Sequence, residues 1–321
     1  MSDLLVVKDL KKYFSTPAGQ LRAVDGVSFT IPRGRTMGVV GESGCGKSTL
    51  GRAILQLHKP TGGEVLFDGQ DVAAMSKAQF NKIRPRMQMI FQDPYSSLNG
   101  RMTVQQLIAE PLIVNKVCKS RREIDEKVEK MMDTVGLAKR LTLAYPHELD
   151  GGRRQRIGVA RALILDPAFI VCDEPVSALD VSIQAQILNL LMDLQEELGL
   201  TYLFITHDLS VVKHISQEIM VMYMGKCVEK APAEEIFLHP THPYTRALMD
   251  AIPIPSIESK HKVRQIIQGE VTSPINPKPG CRFAARCPHA MERCTRGDVE
   301  MREVSPGHLV ACTLEEGQRN D

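Results

Sequence analysis

One short stretch of this chain has the composition and spacing needed to bind a polyphosphate. It consists of Gly41, Glu42, Ser43, Gly44, Cys45, Gly46, Lys47, Ser48 and Thr49, and it fits the phosphate-loop pattern of a glycine, four residues and then Gly-Lys-Ser/Thr. The glycines of such a loop let backbone N–H groups turn inward around phosphate oxygens, and the helix that follows adds a favourable dipole. Lys47 can reach the β- and γ-phosphates, and the Ser48 hydroxyl can ligate Mg²⁺. The stretch predicts a nucleotide site.

A pair of acidic residues further along the chain could act on that nucleotide. Asp173 and Glu174 follow the apolar run 169–172, which is typical of a buried strand. An acid at the end of such a strand can hold Mg²⁺ through water, and a second acid beside it can polarise the attacking water. Alone, the pair could equally form a turn before Pro175. After a phosphate loop, it indicates nucleotide hydrolysis.

The phosphate loop needs a strand before it and a helix after it, and the sequence supplies both. Residues 36–40 are apolar, as expected for a buried strand, and residues 50–57 predict a helix. Strands and helices alternate again over residues 169–223, which favours a parallel sheet. Residues 5–31 predict a small antiparallel β layer, and residues 103–165 are helical in character. The predicted fold class is α/β.

Composition and charge limit the possible functions. The chain has 321 residues and a formal net charge of +2, so no bulk electrostatic argument favours nucleic acid as a partner. No apolar run approaches the ~20 residues that span a bilayer, and we see no secretory signal at the N-terminus. We therefore expect a cytosolic protein. Its eight cysteines then favour thiols or metal ligands over disulfides.

Several motifs, in chain order, resemble those of the ATP-binding cassette (ABC) ATPases. After the phosphate loop they are Gln92, Leu149-Asp150-Gly151-Gly152-Arg153, Asp173-Glu174, Ser177-Ala178-Leu179-Asp180 and His207. The resemblance covers residues from about 4 to 252. It implies an ABC-type P-loop NTPase with a RecA-like parallel-sheet core, an N-terminal antiparallel β layer and a helical subdomain at about residues 100–165. It also implies ATP and Mg²⁺ as ligands and a nucleotide-binding domain over residues 1–252.

The resemblance assigns a role to each residue of the hydrolytic machinery. Asp173 is expected to ligate Mg²⁺ together with Ser48, and Glu174 is expected to act as the catalytic base. Gln92 is expected to contact Mg²⁺ and sense the γ-phosphate. His207 is expected to contact the γ-phosphate, although a lone histidine would ordinarily be interpreted as structural.

Two further positions take their expected roles from the family. The turn from Ser177 to Asp180 is expected at the interface between two ATPase subunits. An aromatic ring near the N-terminus is expected to stack on adenine. Phe14 fits that position best by spacing, and Tyr13 is the second choice. Ordinary packing in the β layer would also explain either ring.

The signature loop departs from the family pattern Leu-Ser-Gly-Gly-Gln, because it carries Asp150 in place of serine and Arg153 in place of glutamine. In the family's head-to-tail dimer this loop caps the partner's ATP, and the serine donates to the γ-phosphate. Asp150 is a good helix N-cap, but an anion cannot donate. At ~4 Å and an effective dielectric near 20, like charges repel by about 4 kcal/mol, of which Arg153 would offset a part. We expect an asymmetric heterodimer.

The C-terminal part differs in character after the segment 253–256, so residues 253–321 are predicted to form a separate, loop-rich extension. The run 242–248 and the Pro-Gly-Cys stretch near residue 280 resemble the peptide-importer branch of these ATPases. Four cysteines lie in this extension: Cys281, Cys287, Cys294 and Cys312. A segment with so little apolar periodicity needs a cross-link to become ordered, and a metal centre would supply one.

Four thiolates suit either an iron–sulfur cluster or zinc. The spacing Cys-x5-Cys-x6-Cys is wider than that of typical zinc sites, which favours the cluster. The dipeptide and oligopeptide importer ATPases that the extension resembles carry a 4Fe–4S cluster there. Zinc and free thiols stay as alternatives. We interpret His289 and His308, which lie nearby, as surface residues.

The residues and the resemblance together imply the ATPase subunit of an importer for dipeptides or oligopeptides, bound at the cytoplasmic side of the cell membrane. The implied partners are a second ABC ATPase, two transmembrane permease subunits and an extracytoplasmic solute-binding protein. Nickel or another small solute is the alternative cargo. A DNA-repair ATPase would need a long coiled coil before the signature loop, and a translation factor would need two cassettes. A non-catalytic regulator is disfavoured by the intact Lys47, Asp173, Glu174 and His207.

Overall fold

The structure is a computed structural model that describes residues 2–251 and 273–314. The described residues form two compact units. The first holds residues 2, 32–35 and 74–205; the second holds residues 3–31, 36–73, 206–251 and 273–314. The predicted boundary at residues 252 and 253, and the segment 253–256 that suggested it, lie outside the described residues, so the domain division stays a prediction.

The strands and helices alternate along the chain as expected for an α/β fold. In chain order, the strands are β1 (Asp3–Thr16), β2 (Gly19–Pro32), β3 (Thr36–Val40), β4 (Gly62–Phe67), β5 (Gln70–Asp71), β6 (Met87–Ile90), β7 (Phe169–Asp173), β8 (Thr201–Ile205), β9 (Glu218–Tyr223), β10 (Lys226–Pro232), β11 (Arg302–Ser305) and β12 (His308–Val310). The helices are α1 (Lys47–Ile54), α2 (Lys77–Ile83), α3 (Pro94–Ser97), α4 (Val104–Val114), α5 (Arg121–Thr134), α6 (Gly151–Leu163), α7 (Val181–Leu198), α8 (Leu209–Ile215), α9 (Ala233–Leu238) and α10 (Pro243–Asp250).

The first unit is built on a parallel sheet in which β7 pairs with β6 on one side and β8 on the other. All residues of β7 and β8 are buried, as is usual for parallel strands covered on both faces. The predicted helical stretch 103–165 is confirmed by α4, α5 and α6, which pack on one another. No helix in the described parts of the chain is long and apolar enough to cross a bilayer.

The second unit contains two sheets. The predicted antiparallel β layer is confirmed as a sheet in the order β2-β1-β4-β5. In the other sheet β3 pairs in parallel with β9, which continues through antiparallel pairs to β10, β12 and β11. The prediction of a helix over residues 50–57 is wrong at both ends, because α1 spans Lys47–Ile54. Gly46 has a φ of +106°, which ends the loop there and lets the helix begin at Lys47.

The described C-terminal residues 273–314 are built into the second unit. β12 pairs with β10, with Val310 opposite Glu229. Phe283 is 1% exposed and packs in a core that includes Tyr223 and Tyr244. Short 3-10 turns at Ala284–Arg286 and Glu292–Thr295 account for the loop-rich character that the sequence indicated.

A buried carboxylate joins these C-terminal strands. Glu229 on β10 has no exposed surface and accepts backbone N–H bonds from Thr241 and His242, and its Oε1 lies 2.7 Å from Nε2 of His308. The interpretation of His308 as a surface residue is wrong, since it is 2% exposed. The pairing of β12 with β10 places it there, across 79 residues of sequence.

Replacement of His308 by alanine would leave the buried Glu229 without one of its three partners. We expect a loss of about 2–3 kcal/mol, which corresponds to a fall in the thermal unfolding midpoint of about 5 °C or more. Circular dichroism during heating measures it. The matched control is His214→Ala, which changes an exposed histidine on α8. Equal midpoints for the two variants would contradict the structural role of the pair.

Candidate functional site

The phosphate loop needs glycine at two positions because its backbone passes close to neighbouring strands. At Gly41 an added Cβ would lie 2.2 Å from the Met222 carbonyl oxygen. At Gly46 it would lie 2.0 Å from the Ala23 carbonyl oxygen. Real Cβ atoms do not approach a carbonyl so closely, and Gly46 also has a left-handed φ of +106°. β2 and β9 therefore fix the two ends of the loop.

Lys47 lies inside this loop. It is 4% exposed, and its Nζ donates to the carbonyl oxygens of Gly41 at 2.7 Å and Glu42 at 3.0 Å. The side chain of Cys45 is also buried, and burial raises the pKa of its thiol. A neutral thiol adds no negative charge beside the Lys47 ammonium group. A buried positive charge in the loop favours the binding of a polyphosphate.

Other residues of the loop are open to solvent or border on it. Ser43 and Gly44 are exposed, and Ser48 is half-buried in the first turn of α1. Backbone N–H groups at a helix N-terminus point outward along the axis and attract anions. The carbonyl of Cys45 accepts a bond from Gly225 N–H at 2.8 Å, which ties the loop to the turn between β9 and β10.

In the first unit, the structure brings Gln92 and Glu174 together. Gln92 Nε2 donates to Oε2 of Glu174 at 2.9 Å. Glu174 has a φ of +48°, which is uncommon for a residue with a side chain. Its backbone is held because its N–H donates to the Ile205 carbonyl at 2.9 Å. Asp173, the last residue of β7, is fully buried.

His207 lies in the second unit, on the turn that precedes α8. The Thr206 N–H donates to the Val39 carbonyl at 3.1 Å, which aligns this turn with the end of β3. Asp208 caps α8 by accepting from the Ser210 N–H at 2.8 Å. The turn is therefore fixed at both sides, and the side chain of His207 is exposed between them.

The signature loop of the first unit has the N-cap that the sequence predicted. Asp150 accepts from the Arg153 N–H at 2.8 Å, and its carboxylate pairs with the Arg153 guanidinium at 3.0 Å. Added Cβ atoms at Gly151 and Gly152 would lie 3.1 Å from Leu179 and 2.7 Å from Ile183. The structure thus packs the signature loop against the Ser177–Asp180 turn and the start of α7.

The two candidate adenine-stacking rings have different neighbours. The Tyr13 hydroxyl hydrogen-bonds to Asp25, and burial together with this carboxylate raises the pKa of Tyr13 to about 12. The Phe14 ring lies edge-on to His58 at 5.5 Å between centroids, and Lys12 Nζ lies 4.7 Å from its centroid. Phe14 has no hydroxyl, so its ring is not held by a hydrogen bond as the ring of Tyr13 is. Its role in stacking on adenine stays a prediction.

The four tail cysteines lie around one cavity, which Phe283 and His289 also line. None of the four is in a disulfide within the described parts of the chain. Within residues 2–251 and 273–314, however, no group of three or more His, Cys, Asp or Glu side chains is arranged to hold a metal ion. The predicted cysteines are therefore brought together without forming a ready metal site. His289, which the sequence analysis places on the surface, is half-buried at this cavity.

Comparison with known proteins decides the family. The family model described as ABC transporter matches residues 24–177, and the one described as oligopeptide/dipeptide transporter, C-terminal region, matches residues 228–294. The oligopeptide transport ATP-binding protein AppF of Bacillus subtilis is 49% identical over 320 residues, which cover 97% of each chain. OppF of Escherichia coli, another oligopeptide transport ATP-binding protein, is 52% identical over 95% of this chain and 92% of its own.

The chain belongs to the ABC transporter family. It is an ATPase of the kind that powers transport.

Solved structures agree with this assignment. The ABC MJ0796, solved as a dimer in a post-hydrolysis state with ADP and Pi, aligns with a TM-score of 0.66 at 29% identity, over 71% of this chain and 98% of that one. CbiO1 of Clostridium perfringens aligns with a TM-score of 0.67 at 28% identity, over 74% of this chain and 92% of its own.

Sequence reasoning missed several residues of this ABC ATPase that contact the phosphate loop or its supports. They are Tyr244, Arg282 and Arg286. Tyr244 belongs to the run that resembled the peptide-importer branch, and the two arginines lie between or beside Cys281 and Cys287. Their positions in these motifs are the signal that the sequence offers for them. Their partners could not be inferred, because each contact joins residues more than 200 positions apart.

Proposed function

We propose that this ABC ATPase hydrolyses ATP to power the uptake of oligopeptides or dipeptides across the cytoplasmic membrane. The observation that carries the proposal is the near full-length similarity to two oligopeptide transport ATP-binding proteins. The match of residues 228–294 to the oligopeptide/dipeptide transporter C-terminal region supports the same cargo. Nothing comparable favours nickel or a regulatory role.

We assign the chemistry as follows. Lys47 binds the β- and γ-phosphates, and Ser48 and Asp173 would hold Mg²⁺, which would supply positive charge to offset that of the phosphates. Glu174 polarises the attacking water as general base. Gln92 orients the Glu174 carboxylate through the 2.9 Å hydrogen bond and contacts Mg²⁺. His207 donates to the γ-phosphate, and Phe14 stacks on adenine.

The partners follow from the importer assignment. We propose that residues 1–252 form the nucleotide-binding domain, one partner of a complex with two permease subunits. Its helical subdomain, about residues 100–165, and the loop at Gln92 form a groove that receives a permease helix at the membrane. Four large apolar side chains of this subdomain are 45–73% exposed: Ile113, Val114, Val117 and Leu143. Exposed apolar side chains of this size favour a protein contact. A solute-binding protein outside the membrane delivers the peptide.

Replacement of Glu174 by glutamine tests the enzymatic part. We expect ATP hydrolysis by the complex with its permeases to fall about 100-fold or more, because the general base is lost, while ATP binding persists. Phosphate release and uptake of a labelled tripeptide into vesicles are measured together. The control is Glu126→Gln, an exposed glutamate on α5. Hydrolysis at the wild-type rate in Glu174→Gln, or uptake of Ni²⁺ and not of peptide, contradicts the proposal.

We further propose that this chain pairs with a different ABC ATPase. In a head-to-tail pair Asp150 faces the partner's ATP, where an anion repels phosphate and cannot donate a hydrogen bond. The Asp150–Arg153 ion pair is 58% and 46% exposed, so solvent screens it and it offsets only part of that repulsion. A homodimer would carry two such sites. A heterodimer carries one, and leaves the ATP on this chain's own loop to be closed by a partner that has serine.

Substitution of Asp150 by serine should raise turnover in the assembled heterodimer severalfold, because serine keeps the N-cap and restores a donor. Asp150→Asn is the matched variant: it also caps the helix and removes the charge, but its donor is an amide NH₂ in a different position from the serine hydroxyl, so we expect a smaller rise. ATPase rates of the three complexes measure this. No rise in either variant would show that Asp150 does not limit the site.

We also propose that the four tail cysteines hold a 4Fe–4S cluster, with zinc as the alternative. All four side chains line one cavity, which fits a four-thiolate centre. The centre would cross-link a segment that has little core of its own.

Iron and sulfide analysis of anaerobically purified protein tests the cluster. We expect about four of each per chain, lost in Cys287→Ser and retained in Cys118→Ser, which changes a thiol of the first unit. Zinc bound without iron under anaerobic conditions, or wild-type iron content in Cys287→Ser, refutes this assignment.

A further inference from the structure

A two-fold ion pair links the C-terminal segment to the phosphate loop. Arg286 Nη1 lies 2.8 Å from Oε2 of Glu42, and Nη2 lies 3.1 Å from Oε1. The arginine side chain is 7% exposed and that of the glutamate 25%. A planar guanidinium that meets both carboxylate oxygens fixes direction as well as distance. Glu42 is the second residue of the loop, so its side chain is anchored 244 residues away.

The backbone of the same loop residue is held by a second C-terminal group. The Glu42 N–H donates to the Tyr244 hydroxyl oxygen at 2.8 Å. Tyr244, on α10, is fully buried, and burial raises the pKa of its hydroxyl, so that it stays neutral. The orientation of the peptide group before Glu42 is therefore set from outside the loop.

Arg286 is itself positioned by an aromatic cluster. Its Nη1 donates to the Tyr223 hydroxyl at 3.2 Å. The Phe283 ring lies 5.3 Å from the Tyr223 ring and 5.4 Å from the Tyr244 ring. Arg286 and Phe283 are joined through one 3-10 turn, in which the Arg286 N–H donates to the Phe283 carbonyl at 2.9 Å. Cys281 and Cys287 flank this turn, which we name the cysteine turn (residues 281–287).

A second arginine of the cysteine turn supports the other end of the loop. Arg282 forms an ion pair with Asp25, and its Nη1 donates to the Met224 carbonyl at 3.3 Å. Both side chains of the ion pair are nearly buried. The Asp25 N–H donates to the Gly225 carbonyl at 2.8 Å, and the Gly225 N–H donates to the Cys45 carbonyl at 2.8 Å. Two chains of contacts therefore connect the loop to the cysteine turn. The first route is the ion pair of Glu42 with Arg286, and the second runs from Cys45 through Gly225 and Asp25 to Arg282.

The ion pair between Glu42 and Arg286 affects nucleotide binding because Glu42 is negatively charged. An unpaired carboxylate in a loop that binds polyphosphate would repel the ligand and could move toward Lys47. The hydrogen bond to Glu42 raises the pKa of the Arg286 guanidinium, so the arginine is charged at any physiological pH. Pairing offsets the glutamate's charge and directs both of its carboxylate oxygens to Arg286.

We infer that Arg286 is a positioning residue for ATP: by pairing with Glu42 it holds the phosphate loop in its ligand-binding shape. Nucleotide affinity then depends on the cysteine turn. By reciprocity, whatever orders the turn strengthens nucleotide binding, and nucleotide orders the turn. The inference rests on the ATP binding proposed above.

A double-mutant cycle on the full-length chain tests it, with a fluorescent ATP analogue and Mg²⁺ as the probe. We expect Arg286→Ala to weaken binding about tenfold, a typical size for coupling between sites. Glu42→Gln should weaken it less, since no charge is left unpaired. In the Glu42→Gln background, Arg286→Ala should have little further effect. Arg286→Lys keeps the charge without the two-fold bond, and we expect an intermediate affinity.

The matched control is Arg296→Ala, which breaks an exposed ion pair with Glu292 in the same C-terminal segment and should bind like the wild type. Wild-type affinity in Arg286→Ala, or a tenfold loss that is equal with and without Glu42, overturns the inference. If the wild-type chain does not bind the analogue at all, the proposed function fails and the inference fails with it.

Discussion

The structure depends on keeping the phosphate loop in one shape although the loop has almost no core of its own. Gly41 and Gly46 pass so close to the carbonyls of Met222 and Ala23 that only glycine fits. The conformation of the loop is therefore fixed by the neighbouring strands and by the C-terminal residues that bind Glu42. A loop prepared in this way can direct its N–H groups at phosphate without losing much conformational entropy on binding. The lysine at its centre supplies the charge.

The two carboxylates proposed for hydrolysis, in the first unit, are positioned by a buried strand and a strained backbone. Asp173 ends a fully buried strand, and Glu174 comes next in a strained, left-handed conformation that its bond to Ile205 maintains. Strain of this kind persists only where the surroundings impose it, and functional sites are where it collects. The rigid sheet thus presents a carboxylate in a fixed direction, with Gln92 as its partner. Binding and hydrolysis are supported by separate local constraints in the two units.

Much of the fold and of the candidate site could be predicted because their signals are local. The phosphate loop, the buried strand before Asp173 and the N-cap at Asp150 all appear as short patterns of residue types. The start of α1 at Lys47 could not be predicted, because the conformation of Gly46 and not hydrophobic periodicity decides it. The burial of His308 and the pairing of Arg286 with Glu42 connect residues 79 and 244 positions apart, and no local pattern encodes them. Ion pairs between residues far apart in the chain could therefore not be predicted from the sequence.

Hydrogen–deuterium exchange of the full-length chain, with and without MgATP, tests the central claim most directly. The claim is that the phosphate loop is a nucleotide site whose shape is shared with the C-terminal segment. The account predicts that MgATP slows exchange both at residues 41–49 and in the cysteine turn, and that Arg286→Ala confines the effect to the loop. Slower exchange in the loop alone in the wild-type chain, or no change at either segment, would contradict it.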